Sequence, residues 1–185
     1  FIDLFDIRDE EKFYQKLAEE VLKVTSSKFE GVIEQSKNFL GNLIPKITFN
    51  PDSASNFSIS FDLQEIKRNP STILDLAENI AQKKGFKIII CIDEFQNIGN
   101  FSEPLFFQQK LRSHWQKHQK CTYCLYGSKR HMLLDVFTNP SMPFYQFGNI
   151  LFLEKIKQEM WLPFIMSQFT NTGKVIDEEN TKLIT

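Results

Sequence analysis

The hydrophobic pattern changes period several times along the chain, and each change marks an element. Phe1-Ile2-Asp3-Leu4-Phe5 reads as a strand in full stride. Asp9-Glu10-Glu11 then supplies negative charge for the first turn of a helix. Phe13, Tyr14, Leu17, Ala18, Val21 and Leu22 line one side of that helix at helical spacing. A second helix is expected over 28–42, with Phe29, Ile33, Leu40 and Leu43 inward. From 46 to 62 the period falls to two. Ile47 and Phe49, then Phe57, Ile59 and Phe61, alternate with polar residues around the turn-forming Asn50-Pro51-Asp52-Ser53, which predicts an inserted β-hairpin. Helical spacing returns at Asn69-Pro70, with Ile73, Leu76, Ala77, Ile80 and Ala81 on one face, and Lys83-Lys84-Gly85 closes this helix.

The next segment is the unbroken apolar run Ile88-Ile89-Ile90-Cys91-Ile92. Mostly β-branched and with no polar alternate, it predicts a central parallel strand buried on both faces. A helix is expected over 103–119, with Phe107, Leu111, Trp115 and His118 on one side. A strand follows at Cys121–Tyr126, a short helix from Lys129 to Phe137, a further strand at Asn149–Leu153, and a helix from Lys155 to Phe169 kinked or broken at Pro163. Strands alternating with helices predict an α/β fold: a parallel sheet with helices on both faces.

Composition narrows the function classes. Hydrophobic residues make up 42% and charged residues 24%, the mixture of a globular protein. With 22 Lys+Arg against 23 Asp+Glu, the chain as a whole is no cationic body for nucleic acid. No apolar run is long enough for a transmembrane helix, and the first residues lack the basic start and apolar core of a signal peptide. Three cysteines, an odd number at low density, read as reduced thiols and predict a cytoplasmic location. The 19 phenylalanines read as core, since Phe13, Phe107 and Phe137 fall on apolar helix faces.

The candidate chemistry centres on Asp93 and Glu94. Two adjacent carboxylates end an apolar strand, at the sheet edge where open α/β folds bind ligands. Holding both charges there costs several kcal/mol unless a cation compensates, roughly the penalty for desolvating an unpaired ion. A hydrated Mg²⁺ held by Asp93 supplies that cation. Glu94 is then free to orient and deprotonate an attacking water.

His114, His118, Cys121 and Cys124 offer four zinc-type ligands, but the odd separation of the cysteines within a strand points them to opposite faces, so zinc is not expected. Residues 104–131 contain no Asp or Glu and carry Lys110, Arg112, Lys117, Lys120, Lys129 and Arg130, a local basic surface able to meet phosphates. A solvated helix face accounts for the same charges.

The run Ile92-Asp93-Glu94-Phe95-Gln96 resembles the Walker B motif of P-loop ATPases with an added catalytic glutamate. Its Asp-Glu-Phe-Gln form is similar to that of archaeal-type ATPases within the AAA+/STAND assemblage. Cys124-Leu125-Tyr126-Gly127-Ser128 resembles the family's next strand ending in Gly-Ser, Met132–Phe137 its short helix, and Pro143-Phe144-Tyr145 its Pro-aromatic-Tyr turn. The resemblance implies MgATP binding and hydrolysis, with Ser128 sensing the γ-phosphate. Ser128 also suits a helix N-cap. Two features depart from the family. The phosphate-cradling Gly-x-x-x-x-Gly-Lys-Ser/Thr loop is absent, and Gln146-Phe147 stand where the family has Gly-Arg.

The resemblance thus implies a P-loop NTPase-type sheet missing its first strand and P-loop: an ATPase core over 1–154 and the start of a helical lid over 155–185. It places the missing segment before Phe1 and implies a winged-helix or nuclease-like domain beyond Thr185 that meets nucleic acid or protein. Residues 1–185 by themselves are expected to bind nucleotide poorly. The alternatives are a non-enzymatic interaction module using the basic 104–131 surface, and a metal-dependent phosphoesterase acting through Asp93 and Glu94.

Overall fold

The computed structural model describes residues 1–26, 29–41, 43, 45–49 and 57–184. It divides into two compact units, Phe1–Gly148 and Asn149–Thr185. The first begins with β1 (Ile2–Asp3), followed by α1 (Glu10–Thr25) and α2 (Phe29–Phe39). Asp9 caps α1 by accepting from the Lys12 N–H at 2.8 Å, with Glu10 and Glu11 in the first turn as the acid run predicts. β2 (Lys46–Phe49) and β3 (Phe57–Ser60) pair antiparallel with Ile47 opposite Ile59, so the alternation does mark a hairpin. The turn expected at Asn50-Pro51-Asp52-Ser53 lies outside the described residues.

The helix expected from Asn69 is preceded by α3 (Leu63–Arg68), which the periodicity did not reveal. It is then interrupted at Asp75, giving α4 (Pro70–Leu74) and α5 (Leu76–Lys84). Gly85, at φ 74°, ends α5 in the left-handed conformation that glycine adopts without a Cβ penalty. β4 (Ile88–Asp93) leads through a 3₁₀ turn, Phe95–Asn100, into α6 (Pro104–Trp115); β5 (Cys121–Leu125) and α7 (Arg130–Thr138) follow.

The three sheet strands run parallel in the order β1-β4-β5. One face is core. Ile2, Ile90 and Ile92 are buried there in one cluster with Phe13 and Leu17 of α1, Ile80 of α5, and Phe107 and Leu111 of α6. The other face differs from the expectation of a doubly buried strand. Ile89 is 70% exposed, Cys91 is half-buried, and Thr122 and Cys124 are exposed. An unbroken apolar run records only that no position on the strand is polar; which face is covered depends on where helices pack, and here they pack against Ile90 and Ile92.

The second correction concerns 149–153. Asn149–Leu153 forms no strand, and the second unit holds two helices, α8 (Gln158–Asn171) and α9 (Glu178–Leu183). Apolar residues make a strand only where an edge offers backbone donors and acceptors, and no described strand pairs with this segment. Pro163 lies inside α8 without ending it. Among the described residues no helix is long and apolar enough to cross a membrane.

Candidate functional site at the carboxyl edge of the sheet

β4 delivers Asp93 and Glu94 to the carboxyl edge of the sheet, as the central strand between β1 and β5. The edge is stitched by backbone bonds across all three strands: Leu4 N–H to Asp93 C=O at 3.1 Å, Tyr126 N–H to Ile92 C=O at 3.1 Å, and Phe95 N–H to Tyr126 C=O at 3.0 Å. Asp93 stays half-buried, and one of its oxygens accepts from the Glu94 N–H at 2.8 Å. Asp3 is its register partner on β1, so two carboxylates lie side by side on the open face of the sheet.

Glu94 has φ 51°, a left-handed conformation that is uncommon for a residue with a side chain. The chain there leaves the strand and turns into the 3₁₀ helix, and Asn97 N–H closes the turn on the Glu94 C=O at 2.9 Å. The Glu94 carboxyl is held below the usual carboxylate range first by a hydrogen bond from the Ser128 side chain, then by Gln96, the Ser128 backbone and nearby Lys129. Gln96 donates to Glu94 through Nε2, while its Oε1 is buried without a hydrogen-bond partner.

Gly127 makes this approach feasible. A Cβ there would stand 2.1 Å from Gln96 Oε1 and 3.2 Å from Glu94 Cα. Ser128 is not the N-cap of α7: Lys129 occupies that position, with no side-chain capping bond.

Tertiary packing also created features that spacing did not disclose. Arg112 donates to the Pro143 C=O and, at 2.7 Å, to the Tyr145 C=O, clamping the turn of the Pro-aromatic-Tyr segment. Phe144 within that turn is fully buried, packed edge-on to Phe95 at 5.5 Å between ring centroids. Gln146, where the family resemblance calls for glycine, has φ 53°. An Asp and two His also converge: Asp75 Oδ1 lies 2.7 Å from His114 Nδ1 and 3.0 Å from His118 Nε2, and His118 Nδ1 lies 2.7 Å from the Tyr123 hydroxyl. Burial of Asp75 opposes ionisation, yet its two histidine partners hold the carboxyl below its usual range.

The four-ligand zinc set is not assembled. Cys121 is buried on the core face while Cys124 is exposed on the other, and His118 has both ring nitrogens committed. Glu78, His118 and Cys121 do place one candidate ligand atom each within 4.8 Å. The Glu78 carboxylate there already accepts from the backbone N–H groups of Gln119, Lys120 and Cys121.

The basic 104–131 segment is partly internal. Lys110 pairs with Glu10 at 2.6 Å, Arg112 clamps the 143–147 turn, and His114 and His118 serve Asp75. Of its aromatic pair, Phe106 is 54% exposed and Phe107 is fully buried.

No protein-family model matches the sequence, and no curated protein does. Among solved structures, the chain is similar to a Walker-type ATPase of Pyrococcus abyssi, with TM-score 0.61 and 16% identity over 99% of this chain and 49% of that one. The chain spans about half the length of that structure, and at this identity the likeness establishes fold. The fold is α/β and P-loop NTPase-like: a three-stranded parallel sheet flanked by helices.

Proposed function

We propose that residues 1–148 carry the acidic half of a nucleotide-hydrolysing centre of the archaeal-type ATPase kind within the AAA+/STAND assemblage. Asp93 would hold Mg²⁺ through water, Glu94 would activate the attacking water, and Ser128 would sense the γ-phosphate. The observation that supports this reading is that the adjacent parallel strands β4 and β5 bring Asp93-Glu94 and Gly127-Ser128 to one sheet edge, where Phe95 N–H bonds to the Tyr126 C=O. A carboxylate at that edge can take a proton from water, and a hydroxyl on the neighbouring strand end can report on what binds beside it.

The residues present suit the ion. Asp93, its neighbour Asp3 and the Ser128 hydroxyl offer oxygen donors only, as a hard cation requires, and two in-register carboxylates favour a positive charge between them. When bound, Mg²⁺ would neutralise phosphate charge; the chain's own part is to orient a water at Glu94 and keep that carboxyl ionised. The phosphate cradle is a different matter. No Gly-x-x-x-x-Gly-Lys-Ser/Thr occurs in residues 1–185, so the proposal requires that loop from a segment before Phe1. Residues 155–185 would begin the helical lid.

The reading is tested by two variants in a protein extended to include such a loop. Glu94→Gln keeps shape but cannot take the proton, so MgATP binding should persist while turnover falls by about 10²-fold or more. Asp93→Ala should weaken Mg²⁺-dependent nucleotide binding as well. Turnover unchanged in Glu94→Gln would sink the assignment, and micromolar ATP binding by residues 1–185 alone would sink the requirement for that loop.

A further inference from the structure

The open face of the sheet holds a pair of thiols. Cys91 on β4 and Cys124 on β5 are register partners in a parallel ladder. Register partners project from the same face, and adjacent strands lie about 4.8 Å apart. That spacing falls inside the Cα separation of about 4.4–6.8 Å that a disulfide spans. Both cysteines are reduced; Cys124 is exposed and Cys91 half-buried. Neither is enclosed in the core as a small apolar filler. Flanking them on the same face are Ile89, 70% exposed, and the exposed Thr122, so reagents reach the pair from solvent. The third cysteine is a built-in contrast. Cys121 is buried on the opposite face, and burial together with the Glu78 carboxylate pushes its thiol up to about 12.

We infer that Cys91 and Cys124 form a cross-strand dithiol that closes to a reversible disulfide under a two-electron oxidant of the peroxide class. The Cys124 sulfur attacks one oxygen of hydrogen peroxide; the O–O bond breaks, and the second oxygen leaves as water with the thiol proton. The sulfenic acid so formed is attacked by the Cys91 sulfur. An S–S bond forms, the S–O bond breaks, and the hydroxyl leaves as a second water with the Cys91 proton. Two thiols are oxidised and one peroxide is reduced. Exposed disulfides of this kind are the ones that reductant reopens, so dithiothreitol should restore both thiols. This inference is independent of the nucleotide reading, although Asp93 lies on the same face two residues beyond Cys91.

The test uses the whole 185-residue chain. The reduced protein is treated with stoichiometric hydrogen peroxide, blocked with N-ethylmaleimide after unfolding, and analysed by intact mass and peptide mapping. The expected result is loss of the two thiol hydrogens, a single alkylation at Cys121, a Cys91–Cys124 linked peptide, and full alkylation after dithiothreitol. Cys91→Ser and Cys124→Ser should each abolish the link. As a second measurement, phenylarsine oxide, which needs two thiols at once, should bind one per chain and protect both from alkylation; either single variant should lose that protection. Separate oxidation of Cys91 and Cys124 without a link overturns the inference. So does a link that includes Cys121, a disulfide between two chains, or arsenical protection that survives in the single variants.

Discussion

Gly127 backs directly onto Gln96, so closely that a Cβ on Gly127 would stand 2.1 Å from Gln96 Oε1. Gln96 is 1% exposed and donates to the Glu94 carboxylate, so it has little room to yield. Gly127→Ala should therefore displace Gln96 and loosen Glu94, with a destabilisation of about 1–3 kcal/mol, the usual scale for overpacking. A thermal melt within one degree of wild type would show that the side chain moves aside freely.

Glu78 ties α5 to the start of β5. Its carboxylate, 4% exposed, accepts from Gln119, Lys120 and Cys121 N–H and from Gln82 Nε2. Burial raises its pKa, but these donors outweigh burial and leave it lowered from 4.5. A depressed folded-state pKa means stability that is complete above 4.5 and is lost as pH falls from there through the lower folded value. Asp75, also lowered, adds loss in the same direction from 3.8 downward. Glu78→Gln should cost about 1–3 kcal/mol at neutral pH, because buried N–H donors lose an acceptor. It should also flatten the acid limb of a denaturation-against-pH series. An unchanged acid limb would remove Glu78 from this role.

Arg112 holds the 143–147 segment through the Pro143 and Tyr145 carbonyls. Hydrogen bonds from a charged donor contribute about 1.5–3 kcal/mol. Arg112→Ala should lower the melting temperature and speed amide exchange in the 143–147 turn. Both bonds leave one nitrogen, Nη1, so Arg112→Lys, whose ammonium also carries several donors on one nitrogen, should recover part of the loss. Exchange in that turn equal to wild type in Arg112→Ala would refute the clamp.

His118 joins Asp75 to the Tyr123 hydroxyl, and its side chain is 3% exposed. His118→Phe keeps the ring volume but leaves the hydroxyl of the half-buried Tyr123 without this partner. A cost of about 1–3 kcal/mol is expected for that unmet group. Adding Tyr123→Phe should restore part of it, because both polar partners are then gone. A double variant no more stable than His118→Phe would show that the Tyr123–His118 contact contributes nothing.

The sequence by itself determined the elements with strong local signals and the chemistry at the end of β4. Acid at Asp9-Glu10-Glu11, the alternation around Ile47 and Ile59, and the run ending at Asp93 each encode their element in neighbouring residues. Tertiary structure decided what depends on partners distant in the chain. The apolar segment 149–153 forms no strand because a strand exists only through backbone bonds to a partner, and no described strand pairs with it. Ile89 is exposed because burial belongs to the packing of helices, not to the strand's own composition. Glu94 meets Ser128, Arg112 meets Tyr145, Asp75 meets His118 and Cys91 meets Cys124 across separations that no local period spans. Hydropathy reports how much a segment gains by leaving water. Which partner it meets on leaving is fixed by strand order and register, and those exist only once the whole chain has closed on itself.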